Sequence, residues 1–322
     1  MKNNHKIIIV RPNSYSGGAV VLSALCSELR KLKVDSSLFY IPKSPRKGTN
    51  MFFFWCKIIK LDILFVISKI SISIFSKKSL VSRKLAKYSF SPVEGVRRRL
   101  NPFISSKDIV LYPEMVYGNF LHAKNVVRWL LYTYKYEADP MAYSKNDLFI
   151  CYREVFNNEH LNPKKYYVQI NYFNHSLYRQ YNFGERKGIC FVIRKGYNRK
   201  DLPKQLNGPV IDNLSEEDKV KVLNQCKYCY FYDTQTFYTS ISAVCGCIPI
   251  VIMEPGKTIQ DYRGGKDNPY GIAYGNSPEQ IQYAIETREQ RLKFVDFSKP
   301  NHENTLRFLQ IIKEKFNIDF LK

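Results

Sequence analysis

Apolar residues along this chain fall into short unbroken runs, separated by polar stretches with helical spacing. Lys6–Val10 (KIIIV) is a run of the kind that a parallel sheet buries on both faces. A loop with paired glycines follows (RPNSYSGGAV). Ala19–Lys33 then shows helical apolar spacing and ends in basic residues, as a helix C-terminus prefers. Ser36–Pro42 is a second strand. This β–loop–α–β start predicts an α/β, doubly wound domain. Further strands are predicted at Asp108–Glu114, Asp147–Glu154 and Lys165–Phe173, and a helix over Asn119–Tyr132. Gly184 and Gly188 flank a basic turn, and the apolar run Ile189–Ile193 restarts the pattern. Next come a strand and turn at Gly208–Leu214 and a helix over Ser215–Cys226. Ser215 followed three residues later by Asp218 is a capping signature. A strand at Lys227–Asp233, a helix over Thr234–Gly246 and a strand at Cys247–Met253 follow. Helices at Ser277–Phe294 and His302–Phe316 complete the chain. The change of register places a domain boundary near residues 175–185. The sequence shows no repeat of solenoid period and no low-complexity segment.

Met51–Asn101 is apolar and basic together. Lys57, Lys60, Asp62 and Lys69 interrupt it, so it holds no clean apolar run long enough to span a membrane. It reads either as core helices with a basic surface or as an amphipathic region lying on an anionic membrane. Charge tips this toward membrane contact: 50 Lys and Arg against 28 Asp and Glu give a net +22. That balance calls for an anionic partner, whether nucleic acid, acidic membrane or phosphorylated substrate. A length of 322 residues with 45 % hydrophobic content suits two domains with real cores. The N-terminal apolar run is too short for a leader and reads as a strand. The eight cysteines read as reduced thiols of a cytosolic protein. Cys226 and Cys229 form a C-x-x-C, with Cys245 and Cys247 downstream, a loosely zinc-like spacing. Strand alternation would set Cys226 and Cys229 on opposite faces, so buried thiols are expected and no metal.

Three places suit an anion. At Asp233–Ser242 a strand hands over to a helix predicted to start at Thr234 or Thr236. Its first amides lack internal partners and its dipole favours a phosphate or diphosphate, with the Thr hydroxyls as added donors. The alternative is plain capping by Asp233 or Thr234. Arg194, Lys195 and Gly196 follow the first strand of the same half, where Arg would bind a diphosphate bidentately and Lys as a point charge. A solvated basic turn is the alternative. Gly17 and Gly18 sit between the first strand and helix, where a backbone can approach a ligand. The full G-x-G-x-x-G pattern is absent, so no nicotinamide or flavin site is expected.

With these residues in view, the chain resembles bacterial GT-B glycosyltransferases that build lipopolysaccharide and capsule. The carrying segments are SGG at 16–18, LYPEMVYGNFLHAKNVVRWLL at 111–131, GICFVIRKG at 188–196 and YFYDTQTFYTSISAVCGCIPIV at 230–251. The resemblance implies two Rossmann-like domains facing a cleft, with the last helix crossing back. Residues 1–178 would bind the acceptor, with 51–101 facing acceptor or membrane. Residues 179–300 would bind a nucleotide-sugar, and 301–322 would return to the first domain. Arg194 and Lys195 would neutralise the leaving diphosphate, and the helix near Thr234–Thr236 would hold its oxygens. No metal or other cofactor would be needed.

One departure stands out. Many retaining members carry two glutamates eight positions apart along the second strand–loop–helix, where this chain has Thr234 and Ser242. Asp233 could replace one. Inverting and retaining outcomes therefore stay open. An inverting enzyme needs a base in the first half, for which Glu114 comes first and His122 behind it, with Asp139 in a polar loop. Each also reads as an ordinary cap, loop or helix-face residue. Glu254, in the loop after Cys247–Met253, could meet a ribose or sugar hydroxyl. The expected function is metal-independent transfer of a sugar from a nucleotide-sugar to a lipid-linked or surface-glycan acceptor. The protein would be cytoplasmic and peripheral on the inner membrane face, without a nucleic-acid partner. The alternatives are a sugar-nucleotide epimerase or hydrolase of the same fold, a non-enzymatic nucleic-acid-binding protein, or an inactive scaffold.

Overall fold

A computed structural model describes residues 5–14, 16–74, 88, 91, 93–132, 139–234, 236–262 and 268–321. The chain divides into a unit made of Met1–Tyr172 with Phe297–Lys322, and a second unit, Phe173–Asp296.

In the first unit the strands are β1 (Ile7–Pro12), β2 (Ser36–Ile41), β3 (Arg98–Arg99), β4 (Ile109–Pro113), β5 (Asn125–Leu130) and β6 (Leu148–Cys151). They form one parallel sheet in the order β3-β2-β1-β4-β5-β6. This is the strand order of dinucleotide-binding folds, with its switch point between β1 and β4. β2 and β4 are buried throughout and β1 at all but its last position, as the unbroken apolar runs require. Helix α1 (Gly17–Lys31) starts at Ser16, whose hydroxyl accepts from the Ala19 amide at 3.4 Å. Helix α2 (Met51–Ile74) buries Phe54, Ile58 and Leu61. Residues 75–87, 89–90 and 92 of the basic stretch lie outside the described residues.

The predicted helix over Asn119–Tyr132 is instead strand β5. Its NVVRWL run is rich in β-branched and aromatic residues, and its last five residues are buried. The predicted strand at Lys165–Phe173 makes only a single bridge, from Tyr167 to Cys151.

The second unit holds β7 (Ile189–Val192), β8 (Tyr228–Phe231), β9 (Ile248–Val251) and β10 (Ala273–Tyr274), parallel and in the order β10-β9-β8-β7. Val210 bridges Phe191 on β7, so the chain between β7 and β8 lies on the outer side of β7. Counting that segment gives the 2-1-3-4-5 order of the other common doubly wound fold, with its switch point between β7 and β8. The helices are α3 (Glu216–Gln225), α4 (Tyr238–Val244), α5 (Pro278–Glu286) and α6 (Arg288–Phe294). Ser215 caps α3 as its sequence signature predicts, accepting from the Asp218 amide at 3.1 Å.

The last helix, α7 (Ser298–Phe316), belongs to the first unit. Phe308, Leu309, Ile311 and Ile312 join Ile7, Leu25 and Trp129 in one core. The expected fold class, α/β with two Rossmann-like units and a returning C-terminal helix, is what the structure shows.

Candidate functional site

In the first unit the carboxyl ends of β1 and β4 open into a cavity of ≈ 1380 Å³. Pro12, Ser14, Ser16 and Gly18 line it from β1 and the start of α1. Glu114 and Met115 follow β4, and Leu131 and Tyr132 follow β5. Lys43, Arg46, Phe53, Phe54 and Lys57 complete the wall. An open parallel sheet places ligands at this location, outside the strand ends at the switch point.

Glu114 sits there with only 3 % exposure. Its Oε2 accepts from the Leu131 amide at 3.0 Å. Burial pushes its carboxyl up to about 7, against the lowering effect of the Leu131 and Tyr132 amides. A carboxyl balanced near neutrality in a cavity can take or give a proton at working pH. Its backbone is held firmly: the Tyr143 hydroxyl donates to the Glu114 carbonyl at 2.6 Å. Just beyond, buried Arg128 donates to the carbonyls of Val116 at 3.0 Å and Gly118 at 2.9 Å, and pairs with Asp147 at 2.8 Å.

Gly17 and Gly18 lie at the same edge of the sheet. A Cβ on Gly17 would meet nothing within 4 Å, so the backbone there is open to approach. As the first residues of α1 they have no intrahelical partners for their amides.

His122 is not near this group. It is exposed in the turn that enters β5, at the opposite end of the sheet from Glu114, with φ of 53°. As the second candidate base it was expected on a helix over Asn119–Tyr132, and the segment it precedes is in fact strand β5. Asp139 is tied to Tyr117 at 3.0 Å and Lys47 at 3.0 Å, and its hydrogen bond from Lys47 holds its pKa low. It serves as an anchor, unsuited to act as a base.

In the second unit the predicted residues gather at the carboxyl ends of β7, β8 and β9, but not as an open anion cradle. Arg194 and Lys195 occupy a 3-10 turn directly after β7. The guanidinium of Arg194, 54 % exposed, lies 3.3 Å from the carboxylate of Asp233, which is 2 % exposed. The amides of Ile193 and Arg194 donate to Asp212 at 2.8 and 3.2 Å. Gly196 is buried, and a Cβ there would stand 2.2 Å from the Tyr232 carbonyl oxygen. Glycine is needed for the turn to pack on the end of β8, and its amide is already spent on the Ile193 carbonyl at 2.6 Å. Lys195 is exposed and makes no ion pair among the described residues.

The helix predicted from Thr234 or Thr236 starts at Tyr238 and has seven residues. Neither threonine is in it. Thr236 accepts from the Tyr238 amide at 3.3 Å, and Thr234 donates to Glu254 at 3.4 Å. The short α4 has little dipole to offer, and one of its first amides is already capped. Glu254 is thereby brought beside Thr234.

Sequence reasoning missed Asp212 and Arg199. Arg199 donates to the carbonyls of Ile252 at 2.6 Å and Met253 at 3.0 Å and ties the ends of β8 and β9 together. It also missed the Tyr178–Glu216–Lys219–Tyr238 network, in which Glu216 accepts from Tyr178 at 2.6 Å and from Tyr238 at 2.7 Å. Apart from the i,i+3 pair Glu216–Lys219, these partners converge from segments distant in sequence.

Cys226 and Cys229 do not point apart. The Cys190 thiol contacts Cys226, Cys229 and Cys247 in one buried group. Cys226 is the C-cap of α3 and precedes the strand, so strand alternation does not govern it. Burial holds the Cys229 and Cys247 thiols well above their usual range. Among the described residues no group of three or more His, Cys, Asp or Glu side chains is placed to hold a metal ion.

On α2, the side turned away from the core is apolar. Phe52, Ile59, Ile63 and Ile70 are 51–72 % exposed, with Lys57, Lys60 and Lys69 beside them. Among the described residues no helix is long and apolar enough to cross a membrane.

No family model matches the sequence, and no curated protein matches it. Among solved structures the chain is similar to a glycosyltransferase from Rickettsia africae, with 10 % identity over 97 % of this chain and 99 % of that one, at a TM-score of 0.43. It is similar to an alpha-glucosyltransferase solved with UDP and a 13-mer DNA, with 10 % identity over 96 % and 95 %, at a TM-score of 0.40. A third is a protein assigned as a UDP-N-acetylglucosamine 2-epimerase from Listeria monocytogenes, with 11 % identity over 98 % and 97 %, at a TM-score of 0.35. Likenesses this distant carry nothing about the site, whose chemistry is read from its own residues.

Proposed function

We propose that the protein is a GT-B glycosyltransferase that moves a sugar from a nucleotide-sugar to a surface-glycan or lipid-linked acceptor of the lipopolysaccharide or capsule kind. The observation that carries this is Glu114: a buried carboxyl with its pKa at about 7, at the switch point of a Rossmann-like sheet, lining a cavity of ≈ 1380 Å³. Glu114 takes the proton from the acceptor hydroxyl. The hydroxyl oxygen attacks the anomeric carbon, and the bond to the diphosphate breaks with its electron pair leaving on the diphosphate. A single base in direct displacement inverts the anomeric centre.

The second unit holds the donor. Lys195, which makes no ion pair among the described residues, supplies a cation for the leaving diphosphate, and Arg194 shares its charge with Asp233. Thr234, Thr236 and Glu254 offer hydroxyl and carboxyl groups to the sugar or ribose, and the Gly17–Gly18 backbone leaves room at the acceptor. Protein cations serve in place of a metal. The protein works at the inner face of the cytoplasmic membrane without spanning it. Its contact is α2, whose outward apolar stripe with flanking lysines suits an anionic interface. Nucleic acid is not its partner.

The test is a thermal-shift panel of nucleoside diphosphates and nucleotide-sugars in EDTA. A selective shift that weakens in Lys195→Ala supports the donor site. A shift with none of them sinks the transferase reading. Turnover of the shifting nucleotide-sugar without any acceptor, to an epimer or free sugar, would favour the epimerase or hydrolase instead.

A further inference from the structure

Two features of the first unit meet on α2. Phe53, Phe54 and Lys57 line the cavity that holds Glu114, while the outer side of the same helix carries the exposed stripe Phe52, Ile59, Ile63 and Ile70. The apolar wall of the cavity is thus continuous along one helix with an apolar outer surface.

The charge in the cavity is one-sided. Lys43, Arg46 and Lys57 line it, and among the described residues none of them forms an ion pair. Two cations of the unit that do meet carboxylates are Lys47, with Asp139 at 3.0 Å, and Arg98, with Asp62 at 2.7 Å. Among the described lining residues Glu114 is the sole carboxyl, and burial keeps it from balancing three cations. A neutral glycan has no need of such charge. A flat anionic surface would be met by lysines on the outside of α2, not by cations inside a cavity.

We infer that the cavity takes a phosphorylated amphiphile. The phosphate is held by Lys43, Arg46 and Lys57, and the hydrocarbon lies on Phe53 and Phe54 and leaves along the outer stripe of α2. This names the acceptor class and rests on the transferase reading: the acceptor is a lipid phosphate, presented to Glu114 by its head.

The probe is decyl phosphate, kept below its micelle concentration and titrated into the full chain. Fluorescence of Trp55, which packs beside Phe54 on α2, reports binding. Saturable binding is expected, weakened by about tenfold or more in the triple variant Lys43→Gln, Arg46→Gln, Lys57→Gln. Glucose 1-phosphate and decyl maltoside should each bind the parent more weakly by a similar factor. Equal binding of decyl phosphate by parent and triple variant overturns the inference. Glucose 1-phosphate binding as tightly as decyl phosphate overturns it too, and assigns the cations to a soluble phosphate. Decyl maltoside binding as tightly would reduce the site to an apolar groove. The nucleotide-sugar thermal shift on the same samples separates the two proposals. Decyl phosphate binding with no donor shift supports the lipid-phosphate site and removes the transferase reading. A donor shift without decyl phosphate binding does the reverse.

Discussion

The carboxylate of Asp233 lies 3.3 Å from the guanidinium of Arg194, buried on one side of the pair and open on the other. The cation expected to grip a diphosphate is therefore already matched by a charge that a diphosphate must compete with. Asp233→Asn removes the competitor and keeps the shape. Nucleoside diphosphate affinity should rise by about 1 kcal/mol, the scale of a half-exposed ion pair. Calorimetry on both proteins checks this; weaker binding in the variant would assign Asp233 to a ligand hydroxyl.

Glu114 gives the fold a distinctive pH response. Its folded pKa is raised, so between the ordinary carboxylate range and about pH 7 the unfolded chain releases a proton that the native chain keeps. Stability is lost across that window and the loss is complete above it. Glu114→Gln cannot ionise. It should become more stable than the parent above pH 7 by about 3 kcal/mol, with no gain near pH 4. Urea unfolding at the two pH values measures it. The same substitution should reduce transfer by about 10²-fold or more.

Arg128 organises the turn after Glu114 while neutralising Asp147 at 2.8 Å. Both side chains are nearly fully buried. Arg128→Met leaves a buried carboxylate and frees two carbonyls, so it should cost about 3–5 kcal/mol. Arg128→Met with Asp147→Leu should recover much of that loss. A denaturation series over the two single variants and the pair tests the coupling.

The outer stripe of α2 contributes little to the core. Ile59→Asp with Ile63→Asp should change stability by no more than about 0.5 kcal/mol per site, since both side chains are more than half exposed. Sedimentation with anionic vesicles should fall sharply. Unchanged cosedimentation would mean that α2 is not the contact.

Much of the fold was legible because burial on both faces of a parallel sheet leaves unbroken apolar runs, as in Ile7–Val10 and Ile109–Leu111. Asn125–Leu130 was misread because a short apolar run suits a buried strand as well as a helix. The position of Glu114 just past the end of a strand was legible from the apolar run before it. His122 failed with the helix that was meant to carry it. The second site was legible in location and not in charge. Nothing local in PVIDN tells that Asp212 will occupy the amides of Ile193 and Arg194, nor that Tyr232 will press on Gly196. The cations of the first cavity, Lys43, Arg46 and Lys57, come from a loop and a helix that only tertiary structure brings to the cavity that Glu114 lines.

The return of α7 to the first unit sets an order of events during synthesis. Phe308, Leu309, Ile311 and Ile312 fill the core that Ile7 and Ile9 begin, across nearly the whole length of the chain. Asn301 and Asn171 fasten this return by exchanging two hydrogen bonds, at 2.9 and 2.7 Å. The second unit, by contrast, is one continuous stretch, Phe173–Asp296, nested within the first. On the ribosome the unit that starts first must therefore finish last, while the unit translated in between has all its parts beforehand. A chain truncated before Ser298 and released should resist protease across Phe173–Asp296 and yield across the segment that precedes it.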